Sequence, residues 1–483
     1  MNLRESTPTS IGAKAVRGAA ALGVRQILVQ GLSALTGIVL ARLLSPADFG
    51  LYGIMAFVLN FLVAFGDVGL GASLIREAEE PSEEDYRAVF TAQQALVLAV
   101  VVVAWLIAPL LARAYHLPPH QAILFRLVAC SLFLTSFQVI PSVRLERHLG
   151  FQKLAAVEVA QAVVYSGVTI SGALAGLGPL SFALGLLCRS FAGAIIINWV
   201  SPWRLGWHWD RRRIRGHLRF GIPYQGIAFT SLLKDSITPL LVGLALGTSQ
   251  VGYINWAQMV AAYPVAALMV LTRVYLPAFA RLQLHREALS QFVEQVLRAT
   301  NALVAPIAIL TLVSIEPITK HVFGQKWMVA LPLYYLLWAA NLFVPTATPL
   351  LALLNALGDS RTAFKFALIW MLGTWIVGGP LILLFGRIGY GIANLSIMFT
   401  NLLLYRAAQA RLSFRILPSI IPVWCVASAI GFAAFLIMHF RPPNGIVGVV
   451  IYLVSGFGAY ALCMLGLYRS EVQRVWGLVW SEQ

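Results

Sequence analysis

The sequence predicts an all-α polytopic membrane protein with about fourteen transmembrane helices, arranged as two pseudo-symmetric six-helix lobes plus a C-terminal helix pair. Three observations carry that prediction: the composition, the spacing of the apolar runs and the placement of the basic residues. Of 483 residues, 59% are hydrophobic and only 11% charged, against about a quarter charged in an ordinary soluble domain. One span needs roughly 20 apolar residues to cross about 30 Å of hydrocarbon. Fourteen spans therefore take up most of the chain and leave no stretch long enough for a soluble catalytic domain.

Apolar runs mark helices at approximately 24–44, 48–70, 89–111, 121–142, 154–175, 179–200, 218–246, 250–277, 298–316, 328–354, 363–385, 388–405, 418–438 and 446–467. The basic N-terminus carries Arg4, Lys14 and Arg17. The run after Gly23 is too long for a signal peptide and lacks a small-residue cleavage site, so it reads as an uncleaved first span. Cys130, Cys188, Cys425 and Cys463 all lie inside apolar runs, which argues against a disulfide framework or a thiolate metal site. The eight histidines are scattered without zinc-ligand spacing.

The formal net charge of +16 reflects topology rather than nucleic-acid binding. Lysines and arginines crowd the two tails and the even-numbered connections, 25 of them against six in the odd-numbered ones. That bias expects both termini in the cytoplasm and an even number of spans. Arg211-Arg212-Arg213-Ile214-Arg215 is the densest run and reads as an inside anchor between the sixth and seventh spans. The acidic stretch from Glu77 to Asp85 reads as a solvated turn.

Comparison of the two halves discloses a repeat. Leu44-Ser45-Pro46-Ala47-Asp48-Phe49-Gly50-Leu51-Tyr52 follows the first span, and Leu246-Gly247-Thr248-Ser249-Gln250-Val251-Gly252-Tyr253 follows the seventh, at an offset of 202. Pro141 and Leu149-Gly150 match Pro349 and Leu357-Gly358 at an offset of 208. An offset of six helices keeps polarity, so the repeat is parallel about an axis along the membrane normal. The expected organisation is an N-terminal lobe at 1–216, a C-terminal lobe at 217–412, and a helix pair with a cytoplasmic tail at 413–483.

Six plus six plus two is similar to the layout of the multidrug/oligosaccharidyl-lipid/polysaccharide exporter superfamily. Leu40-Ala41-Arg42-Leu43-Leu44-Ser45-Pro46-Ala47-Asp48-Phe49-Gly50 and Phe65-Gly66-Asp67-Val68-Gly69-Leu70 resemble the signatures of its polysaccharide transporter branch, the Wzx-type oligosaccharide flippases. The resemblance is motif-level over 24–76 and pattern-level beyond. It implies flipping of a polyprenyl-pyrophosphate-linked oligosaccharide from the cytoplasmic to the periplasmic leaflet of the bacterial inner membrane. The product would feed lipopolysaccharide O-antigen, capsule or exopolysaccharide assembly, with a polymerase and other assembly proteins as expected partners. Peptidoglycan-precursor flippases carry an Arg-Asp pair within the first helix. Here Gln26 to Ala41 is uncharged, so no residues of that site are carried over.

A glycan head group cannot cross hydrocarbon unaided, because each unpaired polar group costs several kcal/mol. Its pyrophosphate calls for a cationic lining. Charges inside spans are costly and therefore functional candidates. Arg189 and Lys234 fall about halfway along the sixth and seventh spans, too deep to snorkel easily. Arg126 and Arg273 lie nearer helix ends and read equally as path residues or snorkelling ones, while Arg25 reads first as an anchor. Asp235 follows Lys234 directly. Either Lys234 faces the path while Asp235 pairs elsewhere, or the two neutralise each other. Asp67 and Glu158 are the candidates for coupling to a proton or sodium gradient; no resident cofactor, metal or nucleic acid is expected.

Two other readings remain at this point. A MATE-like drug exporter shares the layout but favours an acidic interior. A glycan polymerase or ligase needs a large outer loop with catalytic carboxylates, whereas the longest outer connection here is the short one around 317–328.

Overall fold

A computed structural model of the chain describes residues 8–77, 79–266, 268–443 and 445–467. Side chains of 8–22 and of several residues near 220–228 and 267–274 fall outside that description, Arg273 among them, as does the tail from 468. No strand occurs among the described residues. The chain divides into two compact units, Met1–Gly252 and Tyr253–Gln483.

The first unit holds α1 (Pro8–Leu43), α2 (Pro46–Asp67), α3 (Leu70–Arg76), α4 (Glu83–Ala114), α5 (Ala122–Ser136), α6 (Val139–Arg147), α7 (Phe151–Leu174), α8 (Leu180–Val200), α9 (Arg211–Asp235) and α10 (Gly243–Leu246). α11 (Thr248–Ala266) begins in it. The motif after the first span is legible as helix chemistry. Ser45 caps α2 by accepting from the Asp48 N–H, and the Asp48 carboxylate accepts from the Ser45 N–H in return, satisfying two otherwise orphaned donors. Ser82 and Asp85 repeat the device at the start of α4.

The second signature ends α2. Val68 adopts a left-handed conformation (φ 37°), followed by Gly69 (φ 72°). A β-branched residue there costs of order 1–3 kcal/mol. A Cβ on Gly69 would meet the Gly221 carbonyl of α9 at 2.6 Å. This turn therefore brings α9 against α3 and α2. The lobe boundary expected at 216/217 follows the repeat, whereas the compact division follows packing and keeps α9 in the first unit.

Within this unit α7 lies along α8 and α1, while α5 bridges α4 and α8. Small residues permit the α7–α8 approach. A Cβ on Gly185 would meet Thr169 Oγ1 at 2.1 Å, and one on Gly193 would meet Gln161 Nε2 at 2.3 Å.

One close backbone approach is reciprocal. A Cβ on Gly50 of α2 would stand 1.8 Å from the Thr248 carbonyl oxygen, and one on Gly252 of α11 would stand 1.8 Å from the Pro46 carbonyl oxygen. Both residue pairs, 46 with 248 and 50 with 252, are related by the 202-residue offset of the repeat.

The second unit continues with α12 (Leu268–Leu282), α13 (Arg286–Ile318), α14 (Leu331–Asn341), α15 (Val344–Ala356), α16 (Ser360–Ile376), α17 (Gly378–Met398), α18 (Asn401–Arg411), α19 (Leu417–Phe440) and α20 (Gly445–Leu467). The long α13 packs on α19 and α20, α12 on α15, and α14 on α17. Trp256, Phe323 and Trp327 are buried together, with the two indoles stacked at 5.5 Å. Trp424 Nε1 donates to Asn301 Oδ1 at 2.9 Å, so a polar helix residue is satisfied inside the bundle.

Ten segments among the described residues are long and apolar enough to cross a membrane, or eleven if α5 and α6, bent by 40°, act as one span. Leu28–Leu43 adds a shorter apolar helix. Fourteen is not reached on this criterion: the expected span at 363–385 is divided by a turn after Ile376, and the one at 250–277 includes a position outside the described residues. The seventh span is also interrupted. α9 ends at Asp235, and a π-turn over Thr238–Val242, containing Pro239, separates it from α10. Proline withdraws a backbone donor from the helical ladder, and the π-turn falls at that gap.

Candidate functional site

Inside the first unit the inward face of α7 carries a line of polar groups. Glu158 binds Arg25 of α1 at 2.5 Å. Further along, Ser166 receives the Thr36 hydroxyl at 2.8 Å. Tyr165 lies between them, near Tyr52 on α2. Tyr52 in turn stacks on Phe182 of α8 at 4.2 Å. Arg189 lies near enough to act electrostatically on Tyr165.

Arg189 is exposed, yet it does not share the face of α8 that meets the surroundings. Phe191, Ile195 and Trp199 form the exposed apolar stripe, at 56%, 55% and 82% exposure. At 100° per residue they stand roughly 80–160° away from Arg189 around the helix. Arg189 thus opens on the side of Tyr165, and no carboxylate among the described residues pairs with it.

The structure brings Arg25 and Glu158 together and places Arg189 on the same side of α7. The other candidates stand apart. Arg126 lies over the Trp105 ring at 5.5 Å. Lys234 pairs with its neighbour, Lys234 Nζ to Asp235 Oδ1 at 3.3 Å, on exposed side chains at the broken end of α9. Of the two arrangements open from the sequence, this is the mutually neutralised one. Asp67 leaves one buried carboxylate oxygen without a hydrogen bond, whereas Glu158 is neutralised by Arg25.

Among the polar span residues, Gln161 donates to Gln138 Oε1 at 2.9 Å, and Gln138 donates to the Ser190 carbonyl at 2.9 Å. Gln258 donates to the Tyr390 hydroxyl at 2.6 Å. These bonds tie neighbouring helices, as such groups commonly do. Tyr52 and Tyr165 escaped the sequence reading because nothing local marks two tyrosines 113 positions apart as partners.

The acidic stretch read as a solvated turn proves to be clasped. Arg213 donates to Asp85 at 2.5 Å and to Glu84 at 2.8 Å, and its Nε reaches Asp210 at 3.2 Å. Arg147 donates to the carbonyls of Leu74 and Glu79, both at 2.7 Å. His217 is buried with Nδ1 2.9 Å from the Ser73 hydroxyl. Around them lies a cavity of about 590 Å³ whose lining includes Arg76, Glu77, Arg212 and His217.

The N–H groups of Arg213 and Arg212, with the Arg213 guanidinium, hold the Asp210 carboxyl below the usual carboxylate range. A depressed carboxylate contributes stability above its unfolded pKa, about 3.9, and loses it as pH falls through the folded value. Arg213→Gln should therefore lower the thermal midpoint of the purified protein by a constant amount between about pH 5 and 8. Below about pH 4 the difference should shrink. A difference that instead grows on acidification would refute the clasp.

Residues 39–332 match a family described as polysaccharide biosynthesis protein. The chain is 24% identical over 412 residues to the lipopolysaccharide biosynthesis protein WzxC of Escherichia coli (strain K12), covering 84% of this chain and 81% of that protein. It is 25% identical over 349 residues to the succinoglycan biosynthesis transport protein ExoT of Rhizobium meliloti (strain 1021), covering 71% and 69%. In fold it is similar to the lipid II flippase MurJ in an inward closed conformation, with a TM-score of 0.76 at 16% identity over 95% of this chain and 100% of that one. An inward-facing MATE family transporter of the MOP superfamily matches with a TM-score of 0.59 at 16% identity, over 82% and 98%. The match across 39–332 spans more than half of the sequence, and the chain belongs to the polysaccharide biosynthesis protein family.

Proposed function

We propose that this chain is a multi-pass carrier, not an enzyme. It moves a polyprenyl-pyrophosphate-linked oligosaccharide from the cytoplasmic to the periplasmic leaflet by alternating access. The observation that carries the reading is Arg189: an unpaired cation at mid-depth, turned away from the apolar stripe of its own helix and set beside Tyr165 and Tyr52. Guanidinium matches a phosphate oxygen pair geometrically, and tyrosine hydroxyls and rings suit sugar hydroxyls and sugar faces. Family membership and the names of the relatives, WzxC and ExoT, support polysaccharide assembly as the setting.

In this reading Arg25 and Glu158 fix the inner part of the path and Asp67 is the free carboxylate available for ion coupling. Lys234 and Asp235 act at the break of α9. Both termini face the cytoplasm, as the basic-residue bias supports. A polymerase on the periplasmic side consumes the delivered glycan.

The test is reconstitution. Proteoliposomes carrying a fluorescent polyprenyl-pyrophosphate oligosaccharide are exposed to an impermeant glycosidase. Protein-containing vesicles should expose inner-leaflet substrate at least tenfold faster than empty ones. Equal rates, or export of a cationic dye without movement of the lipid-linked glycan, would replace this reading with the drug-exporter one.

A further inference from the structure

The segment between α8 and α9 carries an arrangement that the transport path does not use. Residues 202–210, in neither helix nor strand, cross the start of α4. The His208 N–H donates to Thr91 Oγ1 at 2.9 Å, and the rings of Trp203 and Trp207 lie 5.1 Å and 5.5 Å from that of Phe90. Gly206 passes so close to Arg87 that a Cβ would meet its Nε at 2.8 Å. Outside these contacts Leu205, Trp207 and Trp209 stand 59%, 72% and 66% exposed.

Arg204, Arg211, Arg212 and Arg215 are exposed beside them and have no carboxylate partner among the described residues. Arg213, between them, is the one turned inward to Asp85, Glu84 and Asp210. Acid is thus spent on the guanidinium that holds the fold, and four neighbouring guanidinium groups are left uncompensated. They follow the C-terminal end of α8, one of the helices long and apolar enough to cross a membrane.

We propose that the strap from Trp199 to Arg215 is a binding surface for anionic phospholipid headgroups. Trp207 and Trp209 enter the headgroup layer while Arg204, Arg211, Arg212 and Arg215 bind lipid phosphates. Indole rings favour that depth, and guanidinium forms paired hydrogen bonds to phosphate. Charge complementarity selects the occupant: a zwitterionic layer offers the indoles the same depth but no net attraction to four cations. Each basic residue near an anionic leaflet is worth roughly a fivefold gain in association. Because the same strap leads into Arg213 and α9, bound lipid also restrains the start of that helix.

The experiment uses the full-length protein in nanodiscs of equal parts phosphatidylglycerol and phosphatidylethanolamine, with retained lipids counted by native mass spectrometry after release. Wild type should retain phosphatidylglycerol at least tenfold over phosphatidylethanolamine. R211Q/R212Q/R215Q should bring that ratio near one, and R211K/R212K/R215K should keep most of it, which separates lost charge from lost fold. W207A/W209A should lower retention of both lipids. Loss of the bound phosphatidylglycerol on adding inorganic phosphate, equal retention of the two lipids by wild type, or an unchanged ratio in the glutamine variant would each overturn the assignment.

Discussion

Arg189→Gln is expected to abolish surface polysaccharide while the amount of protein in the membrane stays normal. Removing a charge-assisted hydrogen bond to phosphate costs about 1.5–3 kcal/mol, which is roughly a 10- to 100-fold loss of translocation rate. Arg189 makes no ion pair whose loss would leave a buried partner charge, so stability should hardly change. Arg189→Lys keeps the charge but not the paired geometry and should be intermediate. The decisive readout is where the lipid-linked glycan accumulates: on the cytoplasmic leaflet in R189Q, with a full complement of protein by immunoblot. Normal surface glycan in R189Q would remove this residue from the path. Lys234→Gln should have a smaller effect, because Lys234 is already neutralised by Asp235 at 3.3 Å.

Gly50→Ala should be more damaging than any charge change, and to folding rather than to transport. The added Cβ would lie 1.8 Å from a backbone oxygen, Thr248 O, and no rotamer change relieves a clash with backbone. Helices α2 and α11 must separate, at a cost of about 3 kcal/mol or more. Gly252→Ala should match it through Pro46 O. The same separation relieves both clashes, so the double variant should cost clearly less than the sum of the two. Gly167→Ala on α7, where nothing lies within 4 Å of the added carbon, should be neutral or stabilising by up to about 1 kcal/mol. Thermal midpoints measured by size-exclusion chromatography in detergent rank the four proteins. Equal midpoints for G50A and G167A would contradict the crossing.

Much of the architecture was legible because membrane helices declare themselves by composition, and caps by local spacing. Ser45-Pro46-Ala47-Asp48 contains the whole capping box within four residues. Short local strings of this kind are legible without any tertiary information. Pairings between distant segments were not. Nothing near Arg25 announces Glu158, so the residue first read as an anchor is half of an ion pair between α1 and α7. The acidic stretch around Asp85 read as solvated because Arg213, its partner, lies 128 positions away. Breaks were harder still. Pro239 signalled a possible bend, but whether a proline kinks a helix or opens a π-turn depends on which neighbours take up the freed carbonyls.

Pro46 O faces Gly252 as Thr248 O faces Gly50, so two short strings 202 positions apart meet residue for residue. In a chain half this length a single glycine would occupy both positions. One mutation there would strike the interface twice, and the turn before it could change only in step with itself. In this chain the two glycines are separate residues, and that restriction is absent. The capping box Ser45-Pro46-Ala47-Asp48 stands at the 202-residue offset from Gly247-Thr248-Ser249-Gln250, two different turns leading into one crossing, and each can change without the other.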